Sequence, residues 1–197
     1  MERLSRPIIW LSRIHHCRGF GIQSPTDYRF VRYVINEHWP YYRYEELARE
    51  VKGISSTQLR LCRLFFRLAN YCQAEWFVDF NPTTDAYATY VKAGCSKTKV
   101  CRVGQGGKTL QFADPKKNCL VRVACQNDMV SIVSNLLHYC APGTVVVVDG
   151  IKKNRAARRL WKTLQALPEV GASYDLYYCG IIIADNRRYK KNYIINF

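Results

Sequence analysis

Trp76-Phe77-Val78-Asp79-Phe80-Asn81-Pro82-Thr83-Thr84-Asp85 reads as a strand, a turn and the start of a helix. A nucleotide-binding α/β fold puts glycines in that turn, because a Cβ would block close approach of the backbone to a cofactor. This chain has none there and offers Asn81, Pro82 and Asp85 instead. The stretch therefore carries a fold signal with its cofactor chemistry eroded.

Outward from it, the period of the apolar residues separates two regions. Ser24-Pro25 is a cap followed by a first-turn proline, and Phe30, Val31, Val34 and Ile35 recur at helical spacing behind it. A short helix is expected over Tyr44–Val51, ending at Gly53. Residues Ser55 to Thr57 can cap another, with Leu61, Leu64, Phe65, Leu68 and Ala69 on one face. After Gln73 the pattern alternates. Strands are expected at Trp76–Phe80, Lys99–Val103, Leu120–Ala124 and Thr144–Val148, and helices at Asp85–Ala93, Met129–Leu137 and Asn154–Leu167. Strands alone follow Pro168: Tyr174–Tyr178, Ile181–Ala184 and Tyr193–Phe197. This order predicts an α/β fold with a Rossmann-like, mostly parallel sheet and an antiparallel C-terminal hairpin. A helical N-terminal extension (residues 1–73) is expected to pack on an α/β core (residues 74–197), as one compact unit.

Composition narrows the class. The 197 residues are 48% hydrophobic and 13% aromatic, too apolar for a disordered chain. Thirty basic residues against fifteen acidic ones give +15, a charge that favours polyanions and RNA first. The nine cysteines form no CxxC pair and sit mostly in apolar runs such as Val121-Arg122-Val123-Ala124-Cys125, which suits buried thiols in a reducing cytoplasm. No apolar run has the length of a membrane span.

Several stretches resemble a family of bacterial class I S-adenosylmethionine-dependent methyltransferases. They are Gly21-Ile22-Gln23-Ser24-Pro25, Trp39-Pro40-Tyr41-Tyr42 leading into Glu45-Glu46-Leu47, Leu64 to Tyr71, Thr144 to Ile151, and the tail from Asp175-Leu176-Tyr177-Tyr178-Cys179-Gly180 to Ile194-Ile195-Asn196-Phe197. The resemblance implies a cofactor site at the turn after the first strand, where Asp79, Asn81, Thr83 and, further on, Asp149 would contact S-adenosylmethionine. It also implies losses. Asn81 and Asp85 stand where the family has glycines, and Val103-Gly104 where an acid binds the ribose hydroxyls. Ala124 replaces an aspartate near the reacting centre, and an acidic pair is reduced to Asp149-Gly150. The middle is shorter, with much of one βα unit missing between Val103 and Leu120. The expectation is a degenerate member without cofactor or catalysis, acting as an interaction protein. Two alternatives stand beside it: an active methyltransferase with a site remodelled around Asp79 and Asp149, and a basic RNA-binding module.

The third draws on Lys152, Lys153, Arg155, Arg158, Arg159 and Lys162, with Arg187-Arg188 and Lys190-Lys191, and with Tyr189 and Tyr193 nearby to stack on bases. A solvated helix face explains the same residues without any partner. Gly104-Gln105-Gly106-Gly107-Lys108-Thr109 has the look of a phosphate loop, but Arg102 stands where its first glycine is required, so a glycine-rich turn is expected. His15, His16, Cys17, His138 and Cys140 lack paired ligand spacing, and no metal site is expected.

Overall fold

The structure, a computed structural model, describes residues 2–17, 19–37, 39–104, 117–126 and 129–197. Among the described residues, four α-helices come first: α1 (Glu2–Ser12), α2 (Pro25–Phe30, widening into a π-helical turn over Val31–Ile35), α3 (Arg43–Glu50) and α4 (Ser56–Cys72). The core then alternates β1 (Trp76–Phe80), α5 (Ala86–Gly94), β2 (Lys99–Val103), β3 (Cys119–Ala124), α6 (Met129–Tyr139), β4 (Val145–Asp149) and α7 (Arg155–Ala166). It closes with β5 (Val170–Asp175), β6 (Cys179–Ala184) and β7 (Lys191–Ile194). The glycine-rich turn expected after Gly104 lies outside the described residues.

Local chemistry sets the helix ends. Ser24 accepts a hydrogen bond from the Asp27 N–H, with Pro25 opening α2. Ser55 and Gln58 exchange hydrogen bonds as a capping box at the start of α4, and Gln73 ends that helix in the left-handed region at φ 47°. Asn154 caps α7.

Among the described residues, seven strands form one sheet in the order β2-β1-β3-β4-β6-β5-β7. Of these strands β6 runs against its neighbours, antiparallel to both β4 and β5, while β7 lies parallel to β5 at the edge. The antiparallel strand is thus interior. The hairpin is β5–β6, and β5 begins at Val170, four residues before the expected strand. Two apolar layers cover the sheet. Phe65, Phe77, Tyr90, Leu120, Val147 and Ile181 belong to the one that includes α4 and α5. Val121, Val123, Val133, Val148, Trp161 and Ile182 belong to the one that includes α6 and α7. Doubly covered strands explain why β4 reads as an apolar run from Val145 to Val148 and why β3 is apolar apart from Arg122.

Buried ion pairs fasten the N-terminal segment to the last strands. The Asp27 carboxylate is fully enclosed and accepts from Arg188 Nη2 at 2.6 Å, Tyr174 Oη at 2.8 Å and Tyr193 Oη at 2.8 Å. Arg13 donates to the Asp175 carboxylate at 2.7 Å and to the carbonyls of Asp175 and Ile195. Buried charges persist only when paired in this way. The Ser24-Pro25 stretch therefore aims Asp27 into the sheet. All nine cysteines are free, and burial pushes the Cys62 thiol up to about 12, so it is inert as a nucleophile. Among the described residues, no helix is long and apolar enough to cross a membrane.

Candidate functional site

The C-terminal ends of parallel strands are where open α/β sheets bind ligands. In this sheet Asp79 is the penultimate residue of β1, Arg122 lies on the adjacent β3 in direct register with it, and Asp149 ends β4. Partnered residues of parallel strands point to the same face, so the three charges converge. Arg122 Nη1 donates to Asp79 Oδ1 at 2.9 Å, and Nη2 donates to Asp149 Oδ2 at 3.3 Å. The guanidinium carbon sits 4.8 Å from the centre of the Tyr87 ring. Asp79 and Arg122 are 1% and 2% exposed, and Tyr87 is sealed beside them. The two acids expected to anchor a cofactor are bridged by the chain's own arginine.

Burial pushes the Asp79 carboxyl above the ordinary carboxylate range, and Arg122 beside it reverses this only in part. For Arg122, burial acts to lower the pKa, but Asp79 and then Asp149 outweigh it and hold the guanidinium charged. Asp79 Oδ2 and Arg122 Nε are buried without hydrogen-bond partners, which accounts for the incomplete compensation at Asp79.

The turn keeps the backbone of a glycine turn without the glycine. Asn81 has φ 49°, in the left-handed region that asparagine tolerates better than most residues, and its N–H donates to the Val103 carbonyl at 2.7 Å. Its side chain is half-buried where a glycine would leave open space. Thr83 is exposed, and neighbouring Thr84 accepts from the Ala86 N–H at the start of α5. Asp85 reaches back to Arg102 of β2 at 2.9 Å, an exposed pair that ties the turn to the strand end.

The basic residues divide. Lys152 leaves the expected patch, because its ammonium lies 2.7 Å from Asp175, a buried carboxylate that needs the second cation. Burial would raise the Asp175 pKa, yet Lys152 and Arg13 together hold it below the usual carboxylate value. Arg188 is committed to Asp27. Lys190 donates to the Ala166 and Leu167 carbonyls at the end of α7, where a cation complements the helix dipole. Tyr193 is no base-stacking platform either, since its hydroxyl holds Asp27 and its ring stacks on Tyr174 at 5.3 Å. Lys153, Arg155, Arg158, Arg159 and Lys162 remain exposed, and Tyr189 is 93% exposed.

Sequence reasoning missed Arg122, Asp27, Arg13 and Asp175. A charged residue inside an otherwise apolar strand is the signal that would have found Arg122, since such a residue needs an opposite partner inside the fold. Among the described residues, no group of three or more His, Cys, Asp or Glu is placed to hold a metal ion.

No protein-family model matches the chain, and no curated protein matches it. Solved structures do. Cofactor-bound Rv0187 from MTB superposes with a TM-score of 0.53 at 14% identity, covering 83% of this chain and 97% of that one. The O-methyltransferase from Bacillus cereus in complex with SAH superposes with a TM-score of 0.50 at 15% identity, covering 78% of this chain and 96% of that one. At such identity the likeness speaks to the fold alone. The chain has the mixed α/β, class I methyltransferase-type fold.

Proposed function

We propose that this chain is a methyltransferase-fold protein that has lost S-adenosylmethionine binding and catalysis, and that it acts through contacts of its surface. The observation that carries the reading is Arg122 bridging Asp79 and Asp149. S-adenosylmethionine bears a sulfonium and an ammonium, so a cofactor in this corner would meet a guanidinium already occupying both carboxylates. The residues present do not fit the group. Each charge-assisted hydrogen bond withdrawn from a ligand is worth about 1.5–3 kcal/mol. Two of them weaken affinity by roughly 10² to 10⁴. The Asn81 side chain adds bulk where the fold's cofactor binders place hydrogen.

Thermal unfolding with and without ligand tests this. A ligand present at 100 times its Kd stabilises by about 2.7 kcal/mol. The reading expects an unchanged Tm with millimolar S-adenosylmethionine, and a concentration-dependent rise would return the active-enzyme alternative.

A second reading, contact with nucleic acid through α7, rests on a separate observation. Lys153, Arg155, Arg158, Arg159 and Lys162 are exposed on or just before α7, a helix with no acidic residue. Its test is RNA binding that weakens steeply with salt.

A further inference from the structure

Away from the Arg122 corner, a cavity of about 1130 Å³ opens between the N-terminal helices, α4 and the C-terminal tail. One wall is a row of arginines on α4. Arg60, Arg63 and Arg67 follow at spacings of three and four, which places them along one side of the helix. Arg67 is locked in the wall, donating to the carbonyls of Val34 and Ile35 at 2.6 and 3.1 Å and to Tyr44 Oη at 3.3 Å. It satisfies carbonyls at the end of the π-helical turn and fixes Tyr44. Arg63 lies over the Tyr44 ring at 5.1 Å, and its Nε is buried with no acceptor. Arg63 has no ion-pair partner among the described residues. Arg60 lies over Phe197 at 4.8 Å.

Flat apolar surface faces the same space. Trp10, Trp39 and Tyr42 line the cavity and are 50%, 81% and 89% exposed. Three large aromatics left in water beside an arginine without an ion-pair partner mean unspent binding capacity. Ring faces favour a flat partner, and an arginine favours an anion held by paired N–H donors. The two cavity glutamates define the occupant further. Glu37 Oε1 accepts the Trp39 N–H at 2.9 Å, and Glu45 lies 4.0 Å from Arg49. Their charges oppose a long polyanion tracking through the cleft but leave room for one local anion at Arg63.

We infer that this cavity binds a small molecule carrying a ring and a carboxylate or phosphate, the anion on Arg63 and the ring among Trp39, Trp10 and Tyr42. The site goes beyond the loss of cofactor chemistry and does not depend on it.

The test is tryptophan fluorescence of the full chain titrated with benzoate, phenyl phosphate, benzyl alcohol and inorganic phosphate. Saturable quenching by benzoate or phenyl phosphate, with the uncharged alcohol and ring-free phosphate each at least about tenfold weaker, is expected. Preference between the first two identifies carboxylate or phosphate as the anion. Arg63→Gln should weaken the better probe by about tenfold, with circular dichroism reporting its folding. Trp39→Ala removes a largely exposed ring that the fold does not need, and calorimetry should show it weakening the same probe. No saturable response to either anion up to roughly 10 mM would overturn the inference. So would equal affinity in folded Arg63→Gln, or an unchanged affinity in Trp39→Ala.

Discussion

Arg122 and Asp79, forty-three positions apart in sequence, are register partners on adjacent parallel strands, and their side chains meet at 2.9 Å. Neither is open to solvent. A pair so enclosed is strongly asymmetric under mutation, because removing one charge strands the other in a low-dielectric interior. Arg122→Leu is expected to destabilise by about 3–5 kcal/mol in urea unfolding. The double variant Asp79→Asn/Arg122→Leu should recover at least about 1 kcal/mol of that loss, since the stranded charge is gone. Strict additivity of the two single changes would mean the charges are not coupled.

Asp27 predicts a pH dependence. Burial works to raise its pKa, but Arg188, Tyr174 and Tyr193 reverse this and hold it below the usual aspartate value. The folded pKa is therefore lower than the unfolded one, near 3.9. The stabilisation from this group is present above about pH 4 and is lost as pH falls through the folded value. Asp27→Asn should destabilise by about 2–4 kcal/mol at neutral pH, leaving Arg188 short of its counter-charge. Its stability should also decline less between about pH 5 and pH 2 than that of the wild type. Equal acid sensitivity in the two proteins would contradict the assignment.

Gly180 is a packing prediction. It sits on β6 opposite Val148, and a Cβ built there collides with the Trp161 ring of α7. Gly180→Ala should destabilise by roughly 1–3 kcal/mol, through displacement of α7 from the sheet. An unchanged Tm would show that the Trp161 ring yields freely.

For the exposed face of α7, fluorescence anisotropy with single-stranded RNA gives a direct reading. Changing Arg155, Arg158, Arg159 and Lys162 together to Gln should weaken binding and lower the salt slope by up to about 3. Lys152→Gln should leave RNA affinity unchanged and reduce stability instead, since its ammonium serves Asp175. A salt slope untouched by the quadruple change would remove α7 from consideration.

Most of the fold was legible because periodicity is local. The apolar runs at Trp76–Phe80 and Val145–Val148, the Ser55 cap and the amphipathic face of α7 each declare themselves within a dozen residues. The site was legible only in part. Asp79, Asn81 and Asp149 could be picked out, but not the fact that Arg122 joins the two acids, because its partners are 43 and 27 positions away. Within its own strand Arg122 reads as an interruption of an apolar run. The basic patch was over-read for the same reason. Lys152, Arg188 and Tyr193 look available in sequence, yet they are consumed by Asp175 and Asp27 from distant segments.

On the proposed reading, Arg122 occupies the two carboxylates that a cofactor would use. Isothermal titration of the purified chain with S-adenosylhomocysteine tests it most directly. We expect no saturable heat at millimolar ligand. Binding in the micromolar range would contradict the account and show that Arg122 and Asp79 part to admit a cofactor.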